Sequence, residues 1–563
     1  MKNIRLQWLS PLEKLLPGQT LPPAGELSLS ALRGEKAAVQ LAVDWPWQMD
    51  QPFRCDCRLE LKEKLPLDID LYQVKDVPSA YPAYPMYDND YLSTTPGLYP
   101  DHLSRLVSAA GSDPIAWPLS IFADKTTVIW LEMDIPEDFA ADSVSLNLQL
   151  TDDLNEVIAE AQLAFDIILV SLPKQQLRHT EWFHADCLAD YYQVEVFSDA
   201  HWQILERFIR MAADHSVNML LTPLFTPPLD TAIGGERTTV QLIDVSRQED
   251  EWIFDFGRLK RWIDLAQSYG IRYFEMAHLF TQWGAKAAPK VMAAEQGGIK
   301  QVFGWDTPAD SPDYRAFLNA FLPQLTDKLK EWGLADSCYF HVSDEPQLKD
   351  LESYKKARDM IRPLLEGFPI IDALSDFDFY QKGVVEKPIP ANNHINPFLE
   401  AGVPGLWTYY CCGQFMDVSN RFMAMPSARN RILGVQLYMY EIEGFLHWGY
   451  NFYNSQYSLR KINPFAETDA GCAFPSGDAF LVYPGENGHP EASLRLKVLN
   501  MAMQDMRALQ LLESLTSRSY VLGVISEGLS EDIRFDRYPR EASWLLKLRS
   551  RVNQNIMKYH SEA

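Results

Sequence analysis

Two hydrophobic rhythms divide the chain. Up to about residue 172, apolar and polar positions alternate with period two in short runs: Ala37–Val43, Cys57–Leu61, Val128–Met133, Val144–Leu150 and Ala161–Val170. Alternation at this spacing, punctuated by polar turns, predicts a β-sandwich. Residues 72–100 break the rhythm. They are rich in Tyr, Pro and Asp and read as a long loop of the kind that serves function or an interface. Ser171–Leu177 reads as a linker. Beyond it, strands alternate with amphipathic helices, the mark of a parallel sheet with crossover helices. Eight strands are predicted: Thr180–His184, Asn218–Thr222, Tyr273–Ala277, Tyr339–Val342, Pro369–Ala373, Pro388–Ala391, Gly405–Tyr409 and Gly444–Trp448. The helices between them include 202–215, 256–269, 314–332 and 427–441. The expected fold class is α/β plus all-β: a (β/α)8 TIM-type barrel preceded by an N-terminal β-sandwich domain. The domains are expected at 1–172 (sandwich), 178–515 (barrel) and 516–563 (C-terminal helical tail).

The strand ends carry the chemistry. Cys338-Tyr-Phe-His-Val-Ser-Asp-Glu-Pro346 runs from a buried strand into two adjacent carboxylates, Asp344 and Glu345, and proline ends the ladder. The carboxyl ends of barrel strands are where active sites are built. Neighbours in extended chain point to opposite sides, so the two acids are expected to take different roles, with a turn at Pro346 bringing both to one ligand. The competing reading makes Ser343, Asp344 and Glu345 the N-terminal cap of a helix over 347–362. Polar or aromatic residues at nearly every other strand end weigh against it. His184 follows the first strand, His278 the third, Asp376 the fifth and Asn392 the sixth. Trp407, Tyr409 and Tyr410 mark the seventh, and Trp448 and Asn451 the eighth. Convergence of this kind is the signature of a pocket.

Composition narrows the partner. Among 563 residues, 51 basic and 76 acidic side chains leave a net charge of −25, which excludes nucleic acid and an anionic membrane. The 15 Trp and 25 Tyr suit the apolar faces of sugars. Met-Lys-Asn-Ile-Arg-Leu-Gln-Trp8 lacks the apolar core of a signal peptide, and no run of 18 apolar residues spans a membrane. The seven scattered cysteines, including Cys55/Cys57 and Cys411/Cys412, make no zinc pattern and read as reduced residues of a cytoplasmic protein. No metal and no cofactor are expected.

At this point the motifs are similar to those of a known family. His341-Val-Ser-Asp-Glu-Pro346 resembles the signature of glycoside hydrolase family 123 and its wider relatives, the "domain of unknown function 4091" proteins. So do Trp407-Thr-Tyr-Tyr-Cys-Cys412, Arg431-Ile-Leu, Gly444-Phe-Leu-His-Trp-Gly449 and Tyr483-Pro-Gly485, with Arg33 to Gln40 upstream. The resemblance covers most of the chain in the expected order. It implies a retaining exo-β-N-acetylgalactosaminidase with a substrate-assisted mechanism, acting on an oligosaccharide or glycoside with a terminal β-linked N-acetylhexosamine. Carried over, Glu345 is the general acid/base and Asp344 orients the 2-acetamido group, the sugar's own nucleophile. A tyrosine hydroxyl steadies the acetamido carbonyl in such sites, and Tyr409 or Tyr410 is the candidate. Trp407, His278, Trp448 and Asn451 are placed against the sugar by position alone, with His184, Asp376 and Asn392 at neighbouring strand ends. The absence of a signal favours imported or intracellular oligosaccharides. Two alternatives stand beside this one: a glycosidase of the same fold acting on β-GlcNAc or a non-acetamido glycoside, and a non-catalytic carbohydrate-binding protein.

Overall fold

The structure, a computed structural model, describes residues 3–25, 27, 29–48, 52–109, 115–249 and 251–562. Met1 and Lys2 of the amino-terminal stretch lie outside them. The chain forms two compact units. One comprises Met1–Gln175, Ser419–Met439 and Glu491–Ala563, and the other Gln176–Val418 and Tyr440–Pro490.

In the first unit two five-stranded sheets share a core. One has the order Arg5–Leu9, Lys36–Asp44, Thr127–Asp134, Ile69–Ser79, Gly97–Arg105. The other has the order Leu29–Arg33, Val157–Ser171, Ser143–Asp152, Arg54–Leu61, Ala116–Phe122. Period-two patterning is what places them. Val144, Leu146, Leu148 and Leu150 point inward from one sheet and meet Leu41, Ile129 and Leu131 of the other. The Tyr- and Pro-rich stretch is shorter as a loop than its composition predicts. Its ends, to Ser79 and from Gly97, pair as antiparallel strands, and Arg429 fixes the remainder by donating to both carboxylate oxygens of Asp88 at 2.9 and 2.8 Å. Helix Leu494–Leu515 packs in this unit, whereas a linear reading of the sequence attaches it to the barrel.

The second unit carries the strands expected from the sequence, each shorter than expected and three of them starting one or two residues earlier. We label them β1 (Arg178–Glu181), β2 (Met219–Thr222), β3 (Tyr273–Met276), β4 (Cys338–Tyr339), β5 (Ile371–Ala373), β6 (Lys387–Ile389), β7 (Trp407–Tyr409) and β8 (Gly444–His447). Six form a curled parallel sheet of order β4-β3-β2-β1-β8-β7, and β5 pairs with β6. Single parallel bridges link Phe340 to Ile370 and Ala391 to Tyr409. Two prolines explain why β6 is short: Pro388 and Pro390 cannot donate to a ladder. The inward face is an aliphatic and aromatic core of Met219, Leu221, Tyr339, Ile371, Ile389, Trp407 and Leu446. Gly444 makes this core possible, because a Cβ there would overlap the Trp407 ring. A four-stranded sheet, order Glu251–Asp255, Asp244–Gln248, Val291–Glu295, Gly298–Phe303, is inserted among these elements. The sequence reading passed over it, because the strands are only five or six residues long and lack a shared period-two pattern.

Candidate active site

Beyond β4 the backbone continues through Val342 and Ser343 to the acid pair. Glu345 adopts a left-handed φ of +41°, so the chain turns at the second acid itself, one residue earlier than the proline suggests. That turn defeats the alternation of extended chain, and both acids face one cavity. The segment is tied down on both sides. Trp283 N–H donates to the Asp344 carbonyl at 2.9 Å, Glu345 N–H donates to the Ala373 carbonyl at 3.1 Å, and Ser343 Oγ donates to the Thr281 carbonyl at 2.8 Å. Neither acid caps a helix. The turn that follows is closed by Gln347 and Asp350 as a capping box, which removes the competing reading of the motif.

The cavity has an apolar wall of Trp182, Leu229, Leu446, Trp448 and Phe474, and a polar side of Asp344, Glu345, Asp230 and Gln282. Its volume, ≈ 150 Å³, is on the scale of a single small ring. Tyr409 Oη donates to Glu345 Oε1 at 2.6 Å. Burial raises the pKa of both acids. For Asp344 the shift is large, and the Glu345 charge adds to it, while His341 opposes it. For Glu345 the Tyr409 hydrogen bond pulls the other way. Desolvation and the neighbouring charge together make ionisation of one carboxyl oppose ionisation of the other.

A charge cluster lies next to the acid pair in sequence and in space. His341 is flanked by Glu275 Oε1 at 2.6 Å and Asp372 Oδ1 at 3.0 Å, all three fully buried. These partners outweigh burial and hold the imidazole pKa at about 10. His341 is therefore a fixed cation, set by hydrogen bonds from Thr180 and Trp182 to Glu275 and from Tyr354 to Asp372. His278 stacks on it at 4.2 Å and is kept neutral by burial and by that cation. Ligand atoms of His278, His341 and Asp372 lie within 4.8 Å of one another, the spacing of a metal site. Both His341 nitrogens face carboxylates, so His341 serves the cluster as a hydrogen-bond donor on both sides.

The sequence of residues 182–512 matches the family model described as "Glycoside hydrolase 123, catalytic domain". The chain belongs to glycoside hydrolase family 123. The family 123 fold is seen again in a solved relative, a family 123 glycoside hydrolase from Clostridium perfringens studied for glycolipid glycan hydrolysis. It is 15% identical, covers 99% of this chain and 98% of its own, and superposes with a TM-score of 0.73. At that identity it shows a common fold. A glycoside hydrolase family 5 structure from Bacteroides vulgatus, 13% identical over 61% of this chain and 68% of its own, has a TM-score of only 0.31. No curated protein matches the chain.

Of the residues singled out from the sequence of this family 123 chain, Asp344, Glu345, Tyr409 and Trp448 line the cavity. Asp376 lines an adjoining cleft with Glu345 and Tyr409. The others lie behind these walls. Tyr410, the neighbour of Tyr409 on the opposite strand face, packs on Phe445 and His447. Trp407 packs on Tyr339 in the core, and His278 lies on His341. Asn451 both accepts from and donates to the backbone of His184, and His184 contacts the Trp448 carbonyl and the Arg237 guanidinium. Asn392 is buried beside the β6–β7 bridge, where its N–H donates to the Tyr409 carbonyl. The sequence reading did not pick out Asp230, Gln456, Tyr457 and Phe474. They sit on long irregular segments after β2 and β8, where the one available signal is length without periodicity. Asp230 accepts from Tyr457 N–H at 3.1 Å and joins the two segments, with burial raising its pKa to about 6.

Proposed function

We propose that the chain is a retaining exo-β-N-acetylgalactosaminidase working by substrate assistance, on a scaffold in which β1–β8 close as a (β/α)8 barrel through the two single bridges. The observation that carries this reading is the adjacent pair Asp344 and Glu345 in one aromatic-walled pocket, with Glu345 hydrogen-bonded to Tyr409 and Asp344 next to a buried imidazolium. Trp182, Trp448 and Phe474 provide faces for a pyranose ring. The acetamido N–H donates to Asp344. That bond, together with the His341 cation, favours charge on Asp344 and leaves the proton on Glu345. The acetamido oxygen then bonds to C1 as the C1–O bond to the leaving group breaks, and Glu345 delivers its proton to the departing oxygen. Asp344 balances the oxazolinium charge. Glu345, now a base, takes a proton from the water that reopens the ring, and the anomeric configuration is retained.

The experiment is hydrolysis of nitrophenyl β-GalNAc and β-GlcNAc beside the β-galactoside and β-glucoside. Turnover is expected on the acetamido sugars, with GalNAc preferred. Asp344→Asn and Glu345→Gln are each expected to lower it by about 10²–10⁴-fold. Turnover of the plain glycosides, or an unimpaired Asp344→Asn enzyme, would overturn acetamido participation.

A further inference from the structure

Two adjacent thiols face the pocket, and the proposed chemistry uses neither. Cys411 and Cys412 lie just beyond β7 and line the cavity together with Glu345 and Tyr409. The seven cysteines, all among the described residues, form no disulfide. Cys55, Cys57, Cys187 and Cys338 are buried, whereas this pair is half-buried. A turn holds the pair in place. Gln414 N–H donates to the Cys411 carbonyl at 3.1 Å, which puts Cys412 and Gly413 at the corner. The Gln414 side-chain oxygen accepts from the Cys411 N–H at 2.9 Å and from the Cys411 thiol at 3.3 Å. A Cβ on Gly413 would stand 3.9 Å from Cys411 Sγ, so that sulfur folds back over the turn. The two thiols are also hydrogen-bonded to each other. That bond first, then burial, then the negative charge of Cys412 and Glu345, holds the Cys411 pKa well above the ordinary thiol range.

We infer that Cys411 and Cys412 are an oxidative modification site: hydrogen peroxide closes them into a vicinal disulfide, and the closed ring disables the pocket. Cys411 keeps its proton, so Cys412 is the sulfur that meets the oxidant. Its Sγ attacks one peroxide oxygen. The S–O bond forms as the O–O bond breaks, and the thiol proton leaves with the departing hydroxide as water. Cys411 Sγ then displaces the hydroxyl from Cys412. The S–S bond forms, the S–O bond breaks, and the Cys411 proton leaves in a second water. The two thiols are oxidised by two electrons and one peroxide is reduced to two waters. Consecutive Cα atoms stand about 3.8 Å apart, below the roughly 4.4–6.8 Å that an ordinary disulfide spans. The ring is therefore strained, and strained disulfides are the labile ones that a thiol reductant reopens. Closure takes the Cys411 thiol away from Gln414 and pulls on the turn two residues beyond Tyr409, whose hydroxyl donates to Glu345. The effect on turnover rests on the glycosidase reading above, whereas formation of the ring does not.

The test treats the full chain with hydrogen peroxide, alkylates it, and weighs the peptide that holds Cys411 and Cys412 by mass spectrometry. The expected result is a peptide lighter by two hydrogens with neither sulfur alkylated, restored by dithiothreitol and absent in Cys412→Ser. Turnover of nitrophenyl β-GalNAc is expected to fall by about tenfold to a hundredfold in the oxidised wild type, the scale of a small misplacement of a catalytic group, and to return with dithiothreitol. In Cys412→Ser the ratio of treated to untreated turnover is expected to be unchanged. Two alkylated sulfurs after peroxide, or oxygen atoms added to either sulfur in place of the ring, would overturn the inference. A ring that leaves turnover at its reduced level would overturn it as well. The wild-type mass decides between these outcomes even where the variant fails to fold. No turnover of any nitrophenyl glycoside by the reduced wild type would count against the glycosidase reading alone, and the mass of the peptide would still decide whether the pair closes.

Discussion

Glu345 combines three conditions that rarely coincide: a left-handed backbone, partial burial and a hydrogen bond from a phenol. The backbone strain costs on the order of 1–3 kcal/mol, and it is what turns two consecutive side chains toward one cavity. Tyr409 stabilises the charged form of Glu345, since a donor to a carboxylate favours ionisation. Its removal therefore raises the Glu345 pKa further. In the proposed role of general acid Glu345 works while protonated, so the alkaline limb of the pH–rate profile is expected to move to higher pH in Tyr409→Phe. The rate at the optimum is expected to fall about tenfold with the loss of one bond to a charged group. The pH dependence of kcat/KM on an aryl glycoside checks both. A limb that moves to lower pH would show that Tyr409 acts on another group.

At the scale of elements, the eight strands and their polar ends were legible because a buried parallel strand is a short apolar run that stops where chemistry begins. The acid pair was legible for the same reason. Which strand-end side chains face the cavity was not. Tyr409 and Tyr410 are adjacent and chemically identical, and only the register of β7 sends one to Glu345 and the other into the packing against Phe445. The residues on the long segments after β2 and β8 had no periodicity to betray them. Gly444, which the sequence analysis quoted only as part of a motif, has a packing role instead. Gly444→Ala is expected to destabilise the second unit by about 1–3 kcal/mol, because Trp407 must move or β7 and β8 must separate. A urea titration followed by tryptophan fluorescence measures this, and a midpoint equal to that of the wild type would show that the ring yields freely.

At the scale of the whole molecule, the last fifty residues are structural, although no chemistry was read in them. Arg549 donates to Asp505 at 2.9 Å and also pairs with Glu35, and Asp505 is held by Arg431 at 2.6 Å. One buried cluster therefore ties together all three chain segments of the first unit. Arg549→Met leaves Glu35 without this cation and is expected to cost about 3–5 kcal/mol, read as a lowered thermal midpoint. A midpoint within a degree of the wild type would show that the cluster carries no net stability.

The same arrangement bears on inheritance. The polypeptide leaves the first unit after Gln175, returns at Ser419, leaves again after Met439 and returns at Glu491. No contiguous stretch of the gene encodes either unit by itself. Recombination that shuffles contiguous fragments would carry the second unit together with the 419–439 piece of the first, so neither unit can be borrowed by another gene alone.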